Sequence, residues 1–234
     1  MTTVVGLSGS LRKSSYNASL LRAAVELAPG GLTVDVASIR GIPLYDGDVE
    51  AESGIPEPVA ALKERIAKAD GLLLVTPEYN GSLPGVFKNA IDWLSRPGQD
   101  IPRVFGAKPV GVIGATPGPA GTRLSQTAWL PVLRQLGAMP WFGKTLYLAN
   151  ASQAFDPSGK LVDPKIEQLL RDYLIGFAQF TTSHAASRAV SARSSHWRLP
   201  AGTTAFAPSW TACSASRSPS RSAVSKASLR IPRP

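Results

Sequence analysis

Apolar positions along the chain change period several times, and the changes repeat. TTVVGL (residues 2–7) is a short β-type run. After a polar stretch comes ASLLRAAVELA, where Leu20, Leu21, Ala24, Leu27 and Ala28 fall on one helical stripe. Asn17 is the predicted cap of that helix. LTVDVASI predicts a second strand, with Leu32, Val34 and Val36 alternating. Pro56 and Pro58 open a helix over PVAALKERIAKA, whose Val59, Leu62, Ile66 and Ala69 recur at helical spacing. GLLLVT is a continuous apolar run, as expected of a strand covered on both faces. Pro84 sits in the first turn of the helix PGVFKNAIDWLS. KPVGVIGAT predicts a fourth strand, and TRLSQTAWLPVLRQLGA a helix with a bend or a start near Pro131. A fifth strand is expected within MPWFGKTLYL. Asp163 then caps PKIEQLLRDYLIGFAQF, with Ile166, Leu169, Leu170, Tyr173, Leu174 and Phe177 on one face.

Strand and helix thus alternate about five times over residues 1–180, with crossovers long enough for parallel pairing. The expected fold class is α/β, a doubly wound parallel sheet with helices on both faces. Such sheets bind ligands beyond the carboxyl ends of their strands, where strand order reverses. The loops that matter are therefore 8–17, 77–83 and 116–123.

Composition changes near residue 180. Residues 181–234 are rich in Ser, Arg, Ala and Pro, show no sustained period and contain no Asp or Glu. A segment of that kind buries too little apolar surface to offset its ordering entropy. The expected organisation is a folded domain over 1–180 and a disordered or non-native basic tail over 181–234. A natural tail, an appended extension and out-of-frame translation all remain open as its origin. The chain's net charge is +9, yet residues 1–180 hold 17 Lys and Arg against 16 Asp and Glu. The basicity belongs to the tail, which argues against nucleic acid as partner of the folded part. Its single cysteine, Cys213, and both histidines, His184 and His196, also lie in that tail. The first 180 residues therefore offer no thiol nucleophile, no imidazole base and no Cys/His metal set. An enzyme built from them needs a cofactor to supply the reactive atoms. No apolar run reaches membrane-spanning length, and no signal-peptide pattern opens the chain. A cytoplasmic location without membrane attachment is the expectation.

Each of the three loops has two readings. SGSLRKSSYN places serines, Arg12, Lys13 and Asn17 at the start of a helix, where backbone N–H groups and the helix dipole favour an anion. It is neither a Walker loop nor a dinucleotide fingerprint, since both glycine patterns are missing. It is equally an ordinary polar capping loop. TPEYNGSLPG is dense in turn formers and carries Tyr79; a plain turn ahead of a Pro-started helix accounts for it as well. GATPGPAGT combines Gly114, Gly118 and Gly121 with Thr116 and Thr122, which suits close ligand approach or simple flexibility. Convergence of all three at one sheet edge is what favours a ligand site. Trp93, Trp129 and Trp141 are expected in the core, with the helix around Trp93 as an alternative dimer face.

GLSGSLRKSSYNASL and TPEYNGSLPGVFKNAIDWLSRP resemble the NAD(P)H-dependent FMN reductase family, over about residues 3–178. The resemblance implies a flavodoxin-like five-stranded sheet of order 2-1-3-4-5. It implies FMN as cofactor and NAD(P)H as co-substrate, with quinones, azo compounds, chromate or free flavin as acceptors. It assigns the FMN phosphate to Ser8, Ser10, Arg12, Ser15, Tyr16 and Asn17. It lays Pro77, Glu78, Tyr79, Asn80 and Gly81 along the isoalloxazine, and adds Thr116 and Gly118 from the third loop. The extra prolines Pro117 and Pro119 depart from the family's usual Ser/Thr-Gly pattern there. No catalytic residue and no metal is implied. Ping-pong turnover and a homodimer or homotetramer are. A flavodoxin-type electron carrier is the competing reading, disfavoured by the near-neutral charge of residues 1–180.

Overall fold

Six strands and eight helices follow one another along Met1–Ser194, the residues that the computed structural model describes, with side chains to residue 185. In chain order they are β1 (Thr2–Ser8), α1 (Tyr16–Glu26), β2 (Leu32–Ala37), α2 (Gly47–Ser53), α3 (Glu57–Lys68), β3 (Gly71–Val75) and α4 (Gly85–Leu94). Then come α5 (Ile101–Val104), β4 (Pro109–Ala115), α6 (Arg123–Gln135), β5 (Met139–Pro140), β6 (Tyr147–Leu148), α7 (Ala151–Ala154) and α8 (Pro164–Ser194). All pairings in the sheet are parallel, in the order β2-β1-β3-β4-β5, with β6 also on β4. The expected flavodoxin-like order is therefore present. Val4 lies opposite both Val34 and Gly71, which fixes the register at the centre.

Alternation along the strands divides the core in two. Val5, Leu7, Leu72, Leu74 and Val110 face α3, α4 and α6, through residues such as Ile66, Phe87 and Trp129. Val4, Leu73, Val75 and Ile113 face α1 and α8, through Leu20, Ala24, Tyr173 and Phe177. Every residue of β3 is buried, so its apolar run is the doubly covered strand that the pattern predicts.

Local expectations fare unevenly. Asp163 does cap α8: its Oδ1 accepts from the amides of Lys165 and Ile166, at 2.8 and 3.2 Å. Asn17 does not cap α1. Ser15 does, accepting from the amides of Asn17 and Ala18, because it is the residue with extended backbone just outside the helix. Val36 is exposed. Leu32 and Val34 pack toward α1 and α8, while Ala37 and Ile39 carry the opposite face, leaving Val36 beyond the cover of α1. Pro131 neither starts nor ends α6 and lies inside it. The fifth strand is two fragments. Pro140 has no N–H to donate, and the chain folds tightly about Trp141 at Gly143, where a Cβ would stand 2.6 Å from the indole. Pairing resumes with Gly114 N donating to the Leu146 carbonyl at 3.3 Å and Thr116 N to the Leu148 carbonyl at 2.9 Å. Trp93 and Trp129 are fully buried, so Trp93 itself is core rather than an interface residue.

The change of composition at residue 180 is not a break in secondary structure. Thr181 is fully buried within α8 and donates to the Phe177 carbonyl, and Thr182 hydrogen-bonds Thr2 across the first strand. Residues 195–234, where most of the expected tail lies, are outside the described residues. No helix among the described residues is long and apolar enough to cross a membrane.

Candidate functional site

Parallel register puts the loops after β1, β3 and β4 at the same edge of the sheet. The ladder extends one step into each: Gly9 N donates to the Val75 carbonyl, and Thr76 N to the Ile113 carbonyl. Gly9 has no room for a Cβ, which would meet the Phe87 ring at 2.3 Å. Gly114 is as tight, since a Cβ there would meet the Thr76 carbonyl oxygen at 2.1 Å. Glycine at both positions lets the loops lie close together.

Two side chains tie the loops to one another. Asn17, buried in the first turn of α1, donates Nδ2–H to the Ala115 carbonyl at 2.8 Å. Its Oδ1 accepts from the Ala115 amide at 2.9 Å. It thus behaves as an extra strand residue at the end of β4. Glu78 accepts, through one carboxylate oxygen, from the amides of Leu124 and Ser125 at 2.9 and 3.1 Å. Thr122, the cap position of α6, makes no side-chain cap bond, so Glu78 serves the orphan N–H groups and the helix dipole instead. Beneath this contact lies a buried hydroxyl cluster. Thr76 Oγ1 is 2.8 Å from Ser125 Oγ and accepts from the Trp129 indole at 3.1 Å.

The second loop is a two-residue hairpin. Tyr79 and Ser82 exchange both backbone hydrogen bonds at 3.0 Å. Asn80 and Gly81 lie between them with φ of 50° and 71°, the pair of positive angles that a type I′ turn requires and that Asn-Gly favours. Pro77 is buried at its base, while Tyr79, Asn80 and Gly81 face solvent. The amides of Glu78, Asn80 and Gly81 have no acceptor among the described residues. In the third loop, Thr116 Oγ1 accepts from the Gly118 amide at 3.3 Å, and Gly118 and Thr116 accept from the amides of Asn150 and Ala151. The departures Pro117 and Pro119 sit on the outer side of this anchored loop, exposed or nearly so.

The first loop is the least satisfied of the three. Ser8 Oγ is buried and has no hydrogen-bond partner, the sole such side-chain atom among the described residues. The amides of Ser10 and Leu11 are also unpaired. Ser10 Oγ accepts from the Arg12 amide at 3.3 Å, and Arg40 grips the Leu11 carbonyl. Arg12 and Lys13 are exposed and form no ion pair among the described residues. Open clefts lie on both flanks of this loop. One, of about 460 Å³, runs from Ser8 and Ser10 toward Ser38 and Arg40. The other, of about 620 Å³, lies between α1 and residues 152–159, with Tyr16 stacked on Phe155 at 6.0 Å in its wall. Unspent donors and cations next to a helix N-terminus fit a phosphate.

Residues 2–153 match the family described as NADPH-dependent FMN reductase. The chain belongs to this family. It is 43% identical to an NAD(P)H-dependent FMN reductase of Pseudomonas aeruginosa, over 73% of this chain and 90% of that protein. It is 41% identical to a quinone reductase of Escherichia coli K12, over 76% and 94% of the two chains. Among solved structures it resembles FerB of Paracoccus denitrificans, a flavoenzyme NAD(P)H:(acceptor) oxidoreductase. The TM-score is 0.70 with 36% identity, covering 79% of this chain and 99% of FerB. As a member of the family the protein is an oxidoreductase that depends on FMN and NAD(P)H. The electron-carrier reading falls with that assignment.

The signals missed from sequence are the partners rather than the residues. Asn17 and Glu78 stand in the expected motifs, but the groups they bind lie 98 and 46 residues away along the chain. Trp129 and Ser125, which brace the second loop from below, carry no motif at all.

Proposed function

We propose that the protein reduces quinones with NAD(P)H by way of FMN held at the carboxyl edge of the sheet. The unsatisfied first loop carries this reading: a buried hydroxyl without a partner, free amides and unpaired cations stand at the start of α1. Relatives whose names specify quinones support the acceptor class, among them a 2-hydroxy-1,4-benzoquinone reductase of Burkholderia at 39% identity over 73% of this chain. FMN held there would supply the hydride chemistry that links NAD(P)H to the acceptor.

The chain's own residues then divide into two groups. Ser8, Ser10 and Arg12 would hold the phosphate, with the free amides of the loop. The hairpin at Tyr79–Ser82 would take the flavin ring, and its free Glu78, Asn80 and Gly81 amides would stabilise charge on it. Ser15, Asn17 and the Glu78 carboxylate act by position: they cap α1, join it to β4 and fix the hairpin to α6. Thr116 and Gly118 shape the third wall, and Tyr16 the side near the phosphate. No side chain need act as general base, which accords with the absence of histidine from residues 1–180. Donor and acceptor use one open face in turn, so turnover is ping-pong, and azo compounds and chromate fall within the same acceptor range. The protein works in the cytoplasm as a homodimer or homotetramer.

Purified protein loaded with FMN should bleach on mixing with NADPH without oxygen and recover its absorption on adding a benzoquinone. Initial rates at several quinone concentrations should give parallel double-reciprocal lines. Intersecting lines would replace the ping-pong scheme with a ternary complex, and absence of bleaching would remove the reading altogether.

A further inference from the structure

The peptide between Pro77 and Glu78 is held from its core side. Thr76, just before it, ends the strand ladder, with its amide on the Ile113 carbonyl at 2.8 Å. The Thr76 side chain is fully buried. Its hydroxyl donates to the Pro77 carbonyl at 3.0 Å. A threonine oxygen has one hydrogen and two lone pairs. With the hydrogen on Pro77, the lone pairs take the Trp129 indole N–H at 3.1 Å and the Ser125 hydroxyl at 2.8 Å. Those three bonds use all that Thr76 Oγ1 can make, so the hydroxyl has one orientation. Donation into it from two neighbours also strengthens its own bond to Pro77.

This bond decides which way the next amide points. The proline ring fixes φ of Pro77, so ψ of Pro77 sets the plane of the peptide that follows. The Thr76 hydroxyl fixes that angle by drawing the carbonyl inward. The peptide is trans, and in a trans peptide C=O and N–H point opposite ways. A carbonyl held in the core therefore sends the Glu78 N–H outward, where it has no acceptor among the described residues. The Glu78 carboxylate is tied down separately, on the amides of Leu124 and Ser125. Turning the peptide over would break the Thr76 bond and leave a buried hydroxyl hydrogen without an acceptor.

We infer that Thr76 is a positioning residue for the flavin: its buried hydroxyl keeps the Pro77–Glu78 peptide turned so that the site offers a donor. The inference rests on the FMN reading above and deepens it. The reversed peptide would offer a carbonyl oxygen, which repels the negative charge that reduction places on the ring. A fixed donor favours the reduced flavin more than the oxidised one. The hydroxyl therefore acts on the reduction potential more than on affinity for oxidised FMN, and it does so without touching the ligand.

The test uses the full chain and the variants Thr76→Val, Thr76→Cys, Thr76→Ser and Ser125→Ala. FMN affinity is measured by fluorescence quenching, the midpoint potential of bound FMN against a reference dye, and the thermal midpoint without FMN. Thr76→Val keeps the branched shape and removes the hydroxyl. Reduced FMN should then lose about tenfold more affinity than oxidised FMN, which lowers the midpoint potential by about 30 mV. Thr76→Val also orphans the Pro77 carbonyl, the Ser125 hydroxyl and the Trp129 indole, so Thr76→Cys covers the case in which it does not fold. A thiol is a weak donor, and the potential should fall in the same direction by less. Thr76→Ser keeps the donor and should keep the wild-type potential. Ser125→Ala should lower the thermal midpoint and spare the potential, because Thr76 still reaches Pro77. A wild-type potential in Thr76→Val, or in Thr76→Cys where only that variant folds, would overturn the inference. So would an equal fall in Ser125→Ala, since the cluster would then be a brace and no more. Either result, with FMN bound at wild-type strength, leaves the flavin reading intact. A wild-type chain that binds no FMN would remove that reading and this inference together.

Discussion

Two groups of cations in this protein have opposite surroundings. Near the ends of α3 and α4, Lys63, Arg96 and Arg103 are matched to carboxylates. Lys63 is buried and bonds Asp100 at 2.6 Å, Arg96 bonds Glu50 at 2.8 Å, and Arg103 bonds Glu64 at 2.7 Å. Around the first loop, Arg12, Lys13, Arg22 and Arg40 meet no carboxylate closely enough to pair among the described residues. The near balance of charge over residues 1–180 hides this difference, since acidic residues are enough in number and simply lie elsewhere. Paired cations hold the fold. Unpaired ones raise the local potential and await an anion.

The comparison can be broken most sharply at Arg12. Arg12→Ala should weaken FMN binding roughly 10- to 100-fold, from a charge-assisted contact worth about 1.5–3 kcal/mol, while leaving the thermal midpoint of the FMN-free protein in place. A shifted midpoint with unchanged affinity would move Arg12 into the structural group. Asn17→Ala should act the other way, because it orphans the buried amide and carbonyl of Ala115. Urea unfolding should show a loss of about 1–3 kcal/mol even without flavin. Glu78→Ala should cost about 1 kcal/mol, the usual value of a helix cap, and Glu78→Gln less, since its carbonyl can still accept. If Glu78→Ala left stability untouched, the carboxylate would be free to serve the ligand.

The smallest expected effect is a pH dependence in the paired group. The Lys63 ammonium first, and Arg103 after it, hold the Asp100 carboxyl below its ordinary 3.8. Arg96 does the same to Glu50, below 4.5. A depressed folded pKa means that each pair stabilises fully above those ordinary values and loses its contribution as pH falls through the folded one. Asp100→Asn should therefore flatten part of the acid limb of stability below about pH 4. FMN affinity near neutral pH should not change with it.

Sequence pattern alone places the core well, because burial is periodic and periodicity is local. The run over β3 and the stripes on α1, α3 and α8 appear in the structure, except that Leu169, expected in the α8 stripe, is exposed at its margin. The three loops are also visible, as glycine- and serine-rich breaks after strands. What stays hidden is set by distant partners. Nothing local says that Asn17 pairs with Ala115 rather than capping its own helix, or that Glu78 caps a helix 46 residues on. The fifth strand falls in its expected segment, but its division into two fragments is hidden for a different reason: two residues carry too little alternation to register.

One carboxylate joins the hairpin to α6, and the Thr76–Ser125–Trp129 cluster braces the same junction from inside. The hairpin and α6 therefore share one junction, held from both sides. Leu124 and Leu130 lie exposed on that helix. A partner touching them would press on the element that anchors the hairpin, so the surface of α6 is a handle on Asn80 and Gly81.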